Sequence, residues 1–381
     1  MGPLAGIKVV ELAGIGPGPM AATLLADLGA EVLRIDRIEP VDLGVKKPLR
    51  YNLLARNRKA IALDLKDPAS VELVLKLVEG ADALLEGFRP GVTERLGLGP
   101  DTCLARNPKL VYGRITGWGQ TGPLAPAAGH DINYISLTGA LHAIGGKEHP
   151  SAPLALLGDM SGGVYMALGI LAAIIEARHS DQGQVVDAAI SDSTAHMATA
   201  FYGLVQSGQW HLERGRNVLD GGAHYYNCYQ CADNRWISVG PIEARFYAQL
   251  LDKLDINPAS LGAQNDTTSW DASREVFAGV FRRRTCDEWC ALLEGTDVCF
   301  APVLTFAEAP QHPHMKARGA FVEVDGVVQP APAPRFSRTP PAQPTAPQAP
   351  VTDNLDGVLA GWLPADALAA LVALVAQGEN R

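Results

Sequence analysis

Over its first 190 residues the chain alternates short apolar runs with helical stretches, and this limits the possible fold more than any other feature. Ile7 to Leu12 reads as a strand. A Gly/Pro turn follows, then a helix from about Met20 to Leu28 whose buried face is expected at Met20, Leu24, Leu25 and Leu28, with Gly29 ending it. Glu31 to Ile35 and Ile61 to Leu65 read as further strands. Asp67-Pro68 opens a helix running to Gly80, because Asp caps a helix well and Pro fits its first turn. Ala83 to Leu85 and Lys109 to Ile115 are strands. A long apolar helix follows from the Ser161-Gly162-Gly163 start to about Arg178, then a strand at Gln184 to Ala189 and a helix from about Ser191. Such alternation implies an α/β fold, a mostly parallel sheet wrapped by helices.

The character changes near residue 210. Gly221-Gly222, a Tyr-rich run and Arg235 to Gly240 suggest a small mixed α+β unit, with helices near 243–254, 270–283 and 286–294. Residues 330–350 are rich in Pro, Ala and Gln and are expected to lie extended, and a last helix is expected near 354–377.

A net charge of −9 argues against a nucleic-acid partner but leaves a polyanionic small molecule open, since local Arg and Lys clusters outweigh the sum. The longest uncharged run, Met160 to Ile175, falls short of the roughly 20 residues that span a bilayer, so a buried core helix is expected rather than a membrane span. No secretion leader is recognised at the start. The six cysteines are read as free thiols in a reducing cytoplasm; Cys228, Cys231, Cys286 and Cys290 could be drawn as a split zinc site, but their spacing is irregular and no metal is expected.

Gly14-x-Gly16-x-Gly18 lies between a strand and a helix, with Asp36 ending the next strand, which mimics a dinucleotide fingerprint. Pro19 occupies the sixth position of that pattern and reads better as a helix start, so a tight turn is preferred over NAD binding, with an anion at the helix start as a middle reading. Arg34, Arg37, Arg56, Arg58, Lys59 and Lys66 cluster at strand ends, with Arg89 and Arg95 beyond the next strand; either they are a solvated surface or they collect phosphates there. His130 in Gly129-His130-Asp131 and Asp159 in Gly158-Asp159-Met160 are candidate chemical residues. Read singly, the first could be a structural histidine and the second a helix cap, although Ser161 could cap instead and leave Asp159 free. Glu176, Asp187, Asp192 and His196 straddle a strand and helix irregularly and are read as structural.

Nine strings, among them VVELAGIGPGPMAATLLADLGAEVLRID, ARNRKAIALDLK, EGFRPGVTERLGLGP, AGHDINYISLTG, LLGDMSGG and VGPIEARFY, occur in one order over about residues 4–336. As an ordered set they resemble the family III CoA-transferase superfamily and, within it, the α-methylacyl-CoA racemases. The resemblance implies an isomerase that interconverts (2R)- and (2S)-2-methylacyl-CoA thioesters of lipid metabolism by proton transfer through an enolate, with coenzyme A bound as part of the substrate and no separate cofactor. It implies an interlocked homodimer with a large Rossmann-like domain from residues 1–200 and 310–381 and a small domain from 201–309. It assigns the two bases to His130 and Asp159, and to Glu243 the task of orienting the histidine from the other subunit. Coenzyme A contacts would fall on Arg37, Leu63, Asp64, Lys66, Gly87, Phe88, Arg89 and Arg95, and on Gly129, Asp131, Ile132, Asn133 and Tyr134.

One base on each face of the α-carbon suits inversion, provided the two groups are tuned toward the working pH. Burial is expected to raise the Asp159 pKa and Glu243 to support the His130 imidazolium, while backbone N–H groups near the Asp159 helix start are candidate donors to the enolate oxygen, the exact donors being left open. The rival within the superfamily is a CoA-transferase with Asp159 as nucleophile; its members lack a histidine at the position of His130. The chain departs from the family pattern at His224 and at Pro241, Ala244 and Arg245, which bears on acyl-chain preference.

Overall fold

The structure is a computed structural model that describes residues 2–39, 44–353 and 355–363. These fall into two compact units, one of residues 2–138, 154–197 and 319–363, the other of 139–153 and 198–318.

The first unit is built on a six-stranded parallel sheet: β1 (Lys8–Leu12), β2 (Glu31–Asp36), β3 (Lys59–Ala62), β4 (Ala83–Glu86), β5 (Val111–Thr116) and β6 (Gln184–Ala189). Their order is β3-β2-β1-β4-β5-β6, a doubly wound arrangement that reverses direction between β1 and β4. Strand alternation feeds two cores. Val10 and Leu12 of β1 face Leu73, Val74 and Leu77 of the Pro68–Glu79 helix. Val9 faces the opposite way, among Ala21, Ala22 and Leu25 of the Pro17–Asp27 helix and Met166 and Ile170 of the Ser161–Ser180 helix. Such two-sided burial is why the strands carry apolar residues almost continuously.

Several elements differ from expectation. The first helix starts at Pro17, not Met20, because Pro is compatible with the first helical turn and Gly16 supplies the unusual backbone before it. Its fully buried apolar face is Ala21, Ala22, Leu25 and Ala26; Met20, Leu24 and Leu28 are only half-buried, since small side chains are what let this helix lie close to its neighbour. The third strand covers Lys59–Ala62 instead of 61–65. Asp67 caps the Pro68–Glu79 helix as expected, accepting from the Ala69 and Ser70 amides.

The expected arginine cluster divides. Arg58 is fully buried and pairs with Glu11 at 2.6 Å, Arg56 is buried against Asp27, and Arg34 binds Asp36. These three are internal ties rather than phosphate ligands; Arg37 and Arg89 are the ones that reach the cleft described below.

The chain from 319 onward adds a hairpin, β10 (Phe321–Val324) with β11 (Val327–Pro330), turning at Asp325-Gly326. Residues 331–350 carry no helix or strand, and Val351 bridges to Ile61 beside β3. Within the expected final helix only Asp356–Leu359 is helical among the described residues; position 354 and everything past 363 lie outside them.

The second unit holds an antiparallel sheet of β7 (Asn227–Gln230), β8 (Trp236–Val239) and β9 (Phe300–Val303). The helices Ala244–Lys253, Trp270–Phe281 and Cys286–Leu293 close over it on an aromatic core of Tyr225, Tyr229, Tyr247, Trp270, Phe277, Phe281 and Trp289. His224 is fully buried there, hydrogen-bonded to Tyr247 at 2.7 Å, and burial drives its pKa down to about 4. Among the described residues no group of His, Cys, Asp and Glu is arranged to hold a metal ion, and burial pushes the Cys231 and Cys290 thiols up to about 12.

Candidate active site

A cleft of about 670 Å³ opens in the first unit around the carboxyl ends of β1, β4 and β5, where the sheet reverses direction. Loops leaving adjacent strands on opposite sides of the sheet separate at such a point and leave a crevice. The Gly14–Pro17 turn forms one wall, Gly87, Phe88 and Arg89 after β4 another, and Ile115, Thr116 and Gly117 the floor; His130, Tyr134 and Asp159 close the cleft.

Each wall is braced from below. Glu86, buried at the end of β4, accepts from the Phe88 amide at 2.6 Å and from Arg114 at 2.8 Å, which sets the path of the Gly87–Arg89 loop. The Arg37 guanidinium lies over the Phe88 ring, 5.5 Å from its centre. The His130 loop is fixed by its own helix, Asp131–Ser136. His130 caps it, the His130 amide donates to Asn133 Oδ1 at 3.0 Å, and the Asn133 amide returns to the His130 carbonyl at 2.8 Å. The Tyr134 hydroxyl donates to the Gly129 carbonyl, and its ring stands edge-on to Trp118. The His130 side chain is left exposed at the cleft.

Asp159 sits on an irregular turn. Leu154 and Ala155 both take left-handed backbone conformations, and Leu156–Met160 forms one π-helical turn before the regular Ser161–Ser180 helix. A wide turn of this kind rotates one side chain out of the helical repeat, and such turns are frequent at functional sites. Burial, the Asp131 carboxylate and, in the opposite sense, His130 bring the Asp159 carboxyl up to a pKa of about 6, from the ordinary 3.8. That is the raised value expected from the sequence.

Two expectations about this turn fail. Ser161 does not cap the helix; its hydroxyl donates back to the Leu157 and Gly158 carbonyls. Nor are the first amides of this helix free for an enolate oxygen, because the Asp159 amide is bonded to Asp131 Oδ1 at 2.8 Å and that of Met160 to the Ala155 carbonyl at 3.1 Å. The π-turn continues into the helix, so these two donors, which an isolated helix would expose, are already used.

Sequence reasoning missed the true use of the glycine turn. Gly16 (φ +66°, ψ −118°) faces Asp159, and a Cβ there would lie 2.7 Å from Asp159 Oδ2. The turn makes room for a carboxylate rather than a pyrophosphate. Gly16→Ala is therefore expected to displace Asp159 and lower turnover about 10²-fold, with the chain still folded by circular dichroism; wild-type turnover would remove this role.

The matching family model is that of CoA-transferase family III, over residues 4–376. The chain belongs to CoA-transferase family III. Two family relatives named alpha-methylacyl-CoA racemase, from Mus musculus and Homo sapiens, are 44% and 42% identical to it over 341 and 342 residues, covering 88% of this chain and 87% of each relative. The crystal structure of a CAIB/BAIF family protein from Brucella suis superposes with a TM-score of 0.78 at 26% identity, covering 97% of this chain and 99% of that one.

Of the coenzyme A contacts that the family resemblance assigns, Arg37, Gly87, Phe88, Arg89, Gly129 and Tyr134 line the cleft with His130 and Asp159. Leu63 is buried in the core, whereas Asp64, Lys66 and Arg95 are exposed at the rim of the unit and do not line the cleft. Ile132 and Asn133 are exposed on the helix behind His130, and Asp131 turns its carboxylate to the Asp159 turn instead of the cleft. Glu243 belongs to the second unit, exposed at the cap of the Ala244–Lys253 helix.

Proposed function

We propose that this chain is an α-methylacyl-CoA racemase, interconverting (2R)- and (2S)-2-methylacyl-CoA with His130 and Asp159 as the two bases. The observation that carries the reading is a histidine and a carboxyl with a pKa near 6 lining one cleft, in a chain 44% identical to a racemase. One group removes the C2 proton of the thioester and the other returns a proton to the opposite face, so the enolate between them is short-lived and no bond to the enzyme forms. A carboxyl of this pKa can hold or release a proton near neutrality, which an ordinary aspartate does poorly. Arg37 and Arg89 supply positive charge for the coenzyme A phosphates, and Phe88 an apolar surface for the adenine. Coenzyme A enters and leaves as part of the substrate.

The proposal includes an interlocked homodimer in which Glu243 of the second copy orients His130. Support comes from the Ser161–Ser180 helix. With the preceding turn it is long and apolar enough to cross a membrane by length and composition, yet it packs on β5 and β6 with half its residues buried. Its remaining face shows Val164, Leu168 and Ile175 exposed along one stripe, a surface suited to a second copy of this chain. A cytoplasmic setting is supported by six unpaired thiols, two of them exposed.

The test is C2 chemistry in D₂O followed by NMR. A single enantiomer of 2-methylacyl-CoA is expected to gain deuterium at C2 while losing stereochemical purity, without any added carboxylic acid. No exchange, together with transfer of coenzyme A to an added acid, would establish the transferase in which Asp159 is the nucleophile.

A further inference from the structure

Asp131 is almost fully buried, at 9% exposure, although a carboxylate in the first turn of a helix ordinarily faces water. Its Oδ1 accepts the Asp159 amide at 2.8 Å. The chain has made room for that contact, since a Cβ on Gly158 would lie 2.2 Å from the same oxygen. The carboxylate thus presses directly on the turn that carries Asp159, and a second negative charge stands beside the carboxyl assigned to move the proton.

We propose that Asp131 is a positioning residue of the proton relay: it holds the Asp159 turn in place through the Asp159 amide, and its charge sets how readily Asp159 takes up a proton. The inference rests on Asp159 being one of the two bases. The other groups around Asp159 act less strongly or in the opposite sense. His130 favours the ionised carboxyl, Tyr134 stands nearby and is uncharged, and Arg89 and Arg37 line the same cleft. On the Ile190–Met197 helix packed against the turn, Asp192 accepts from Ser191 and His196 is bonded to Tyr165. At the start of the Pro17–Asp27 helix, the N-cap Gly16 sets its backbone against the carboxylate and carries no charge. Asp131 is therefore the group whose charge opposes ionisation of Asp159 most directly, after burial itself.

The test separates the charge of Asp131 from its hydrogen bond. Asp131→Asn keeps an oxygen that can accept the Asp159 amide and removes the charge; Asp131→Ala removes both. The pH profile of kcat/KM for C2 inversion is measured for each on the full-length chain, with the Asp159 carboxyl followed directly by ¹³C NMR. The asparagine variant is expected to move the acidic limb and the Asp159 titration to lower pH. The limb should move equally for both enantiomers, because the equilibrium between them does not depend on the enzyme. The alanine variant is expected to lose kcat at every pH with KM little changed. Asp131→Ser, a second neutral acceptor, answers the same question if the amide does not fold. A wild-type acidic limb in a neutral, folded variant overturns the inference. Asp159→Asn as a reference keeps the two readings apart: if it inverts substrate freely, the assignment of Asp159 as a base fails, whereas if it is inactive and Asp131→Asn titrates like wild type, only the role of Asp131 fails.

Discussion

Asp159→Asn is expected to lower the rate of C2 inversion by about 10²–10⁴-fold, while leaving the protein at least as stable as the wild type at pH 7. The two halves of this result have one cause. Burial beside Asp131 makes the Asp159 carboxylate costly to ionise, so its pKa is about 6 in the folded chain against an ordinary 3.8. A carboxyl whose pKa is raised on folding binds protons more tightly folded than unfolded. Its contribution to stability is therefore best below pH 3.8 and is lost as the pH rises through 6. Asparagine resembles the protonated form at every pH. The variant should gain on the wild type in thermal melts at pH 7, and the gain should vanish below about pH 4. With His130 alone remaining, one enantiomer could still exchange its C2 proton for deuterium with retention of configuration, but inversion requires a donor on the other face. Full two-way turnover in Asp159→Asn or in His130→Gln would defeat the two-base reading. A loss of stability in Asp159→Asn at pH 7 would show that the raised pKa is misassigned.

Much of this site was legible before the fold was known, for a reason that lies in the kind of signal each residue leaves. Strands buried on both faces leave continuous apolar runs, and their helices leave caps such as Asp67-Pro68, so β1, β2, β4 and β5 could be read nearly to the residue. His130 and Asp159 could be found because they stand in motifs whose order is distinctive. What the sequence could not convey was which partner each charge meets. Arg34, Arg56, Arg58 and Arg37 look alike in a string of basic residues, yet three are buried against Asp36, Asp27 and Glu11 and one reaches the cleft. Spacing along the chain does not encode contacts between β1 and a loop more than forty residues away. The same limit hid the glycine turn. Gly14-x-Gly16-x-Gly18 signals a backbone that needs space, but only the fold reveals that Asp159, from far along the chain, occupies it. The π-turn was likewise illegible, since no residue type marks the position where one extra residue enters a helix.

Arg58→Met should destabilise the first unit by about 3–5 kcal/mol, the largest loss expected from any single substitution away from the reacting groups. Arg58 and Glu11 are both fully buried, 2.6 Å apart, and Arg58 also donates to Thr23 Oγ1 at 3.1 Å. The three residues tie β1, the Pro17–Asp27 helix and the approach to β3 together. Methionine fills much of the space of arginine but leaves Glu11 as a buried carboxyl without its cation. Burial already holds the Glu11 pKa above the ordinary 4.5 even with Arg58 present. Without Arg58 it rises further, so the variant should be most unstable at alkaline pH and recover as the pH falls and Glu11 becomes protonated. Urea unfolding followed at pH 8 and pH 5.5 measures this, with a smaller loss expected at the lower pH. Replacing both partners, Glu11→Leu with Arg58→Met, removes the stranded charge and should recover most of the stability, since a buried ion pair contributes little beyond an apolar pair of similar volume. A double variant as unstable as Arg58→Met alone would mean that Arg58 acts through its packing and its bond to Thr23, with the charge of Glu11 playing no part. If instead stability returns but C2 turnover does not, the ion pair is kept for the geometry of the Asp159 pocket rather than for the energy of the fold.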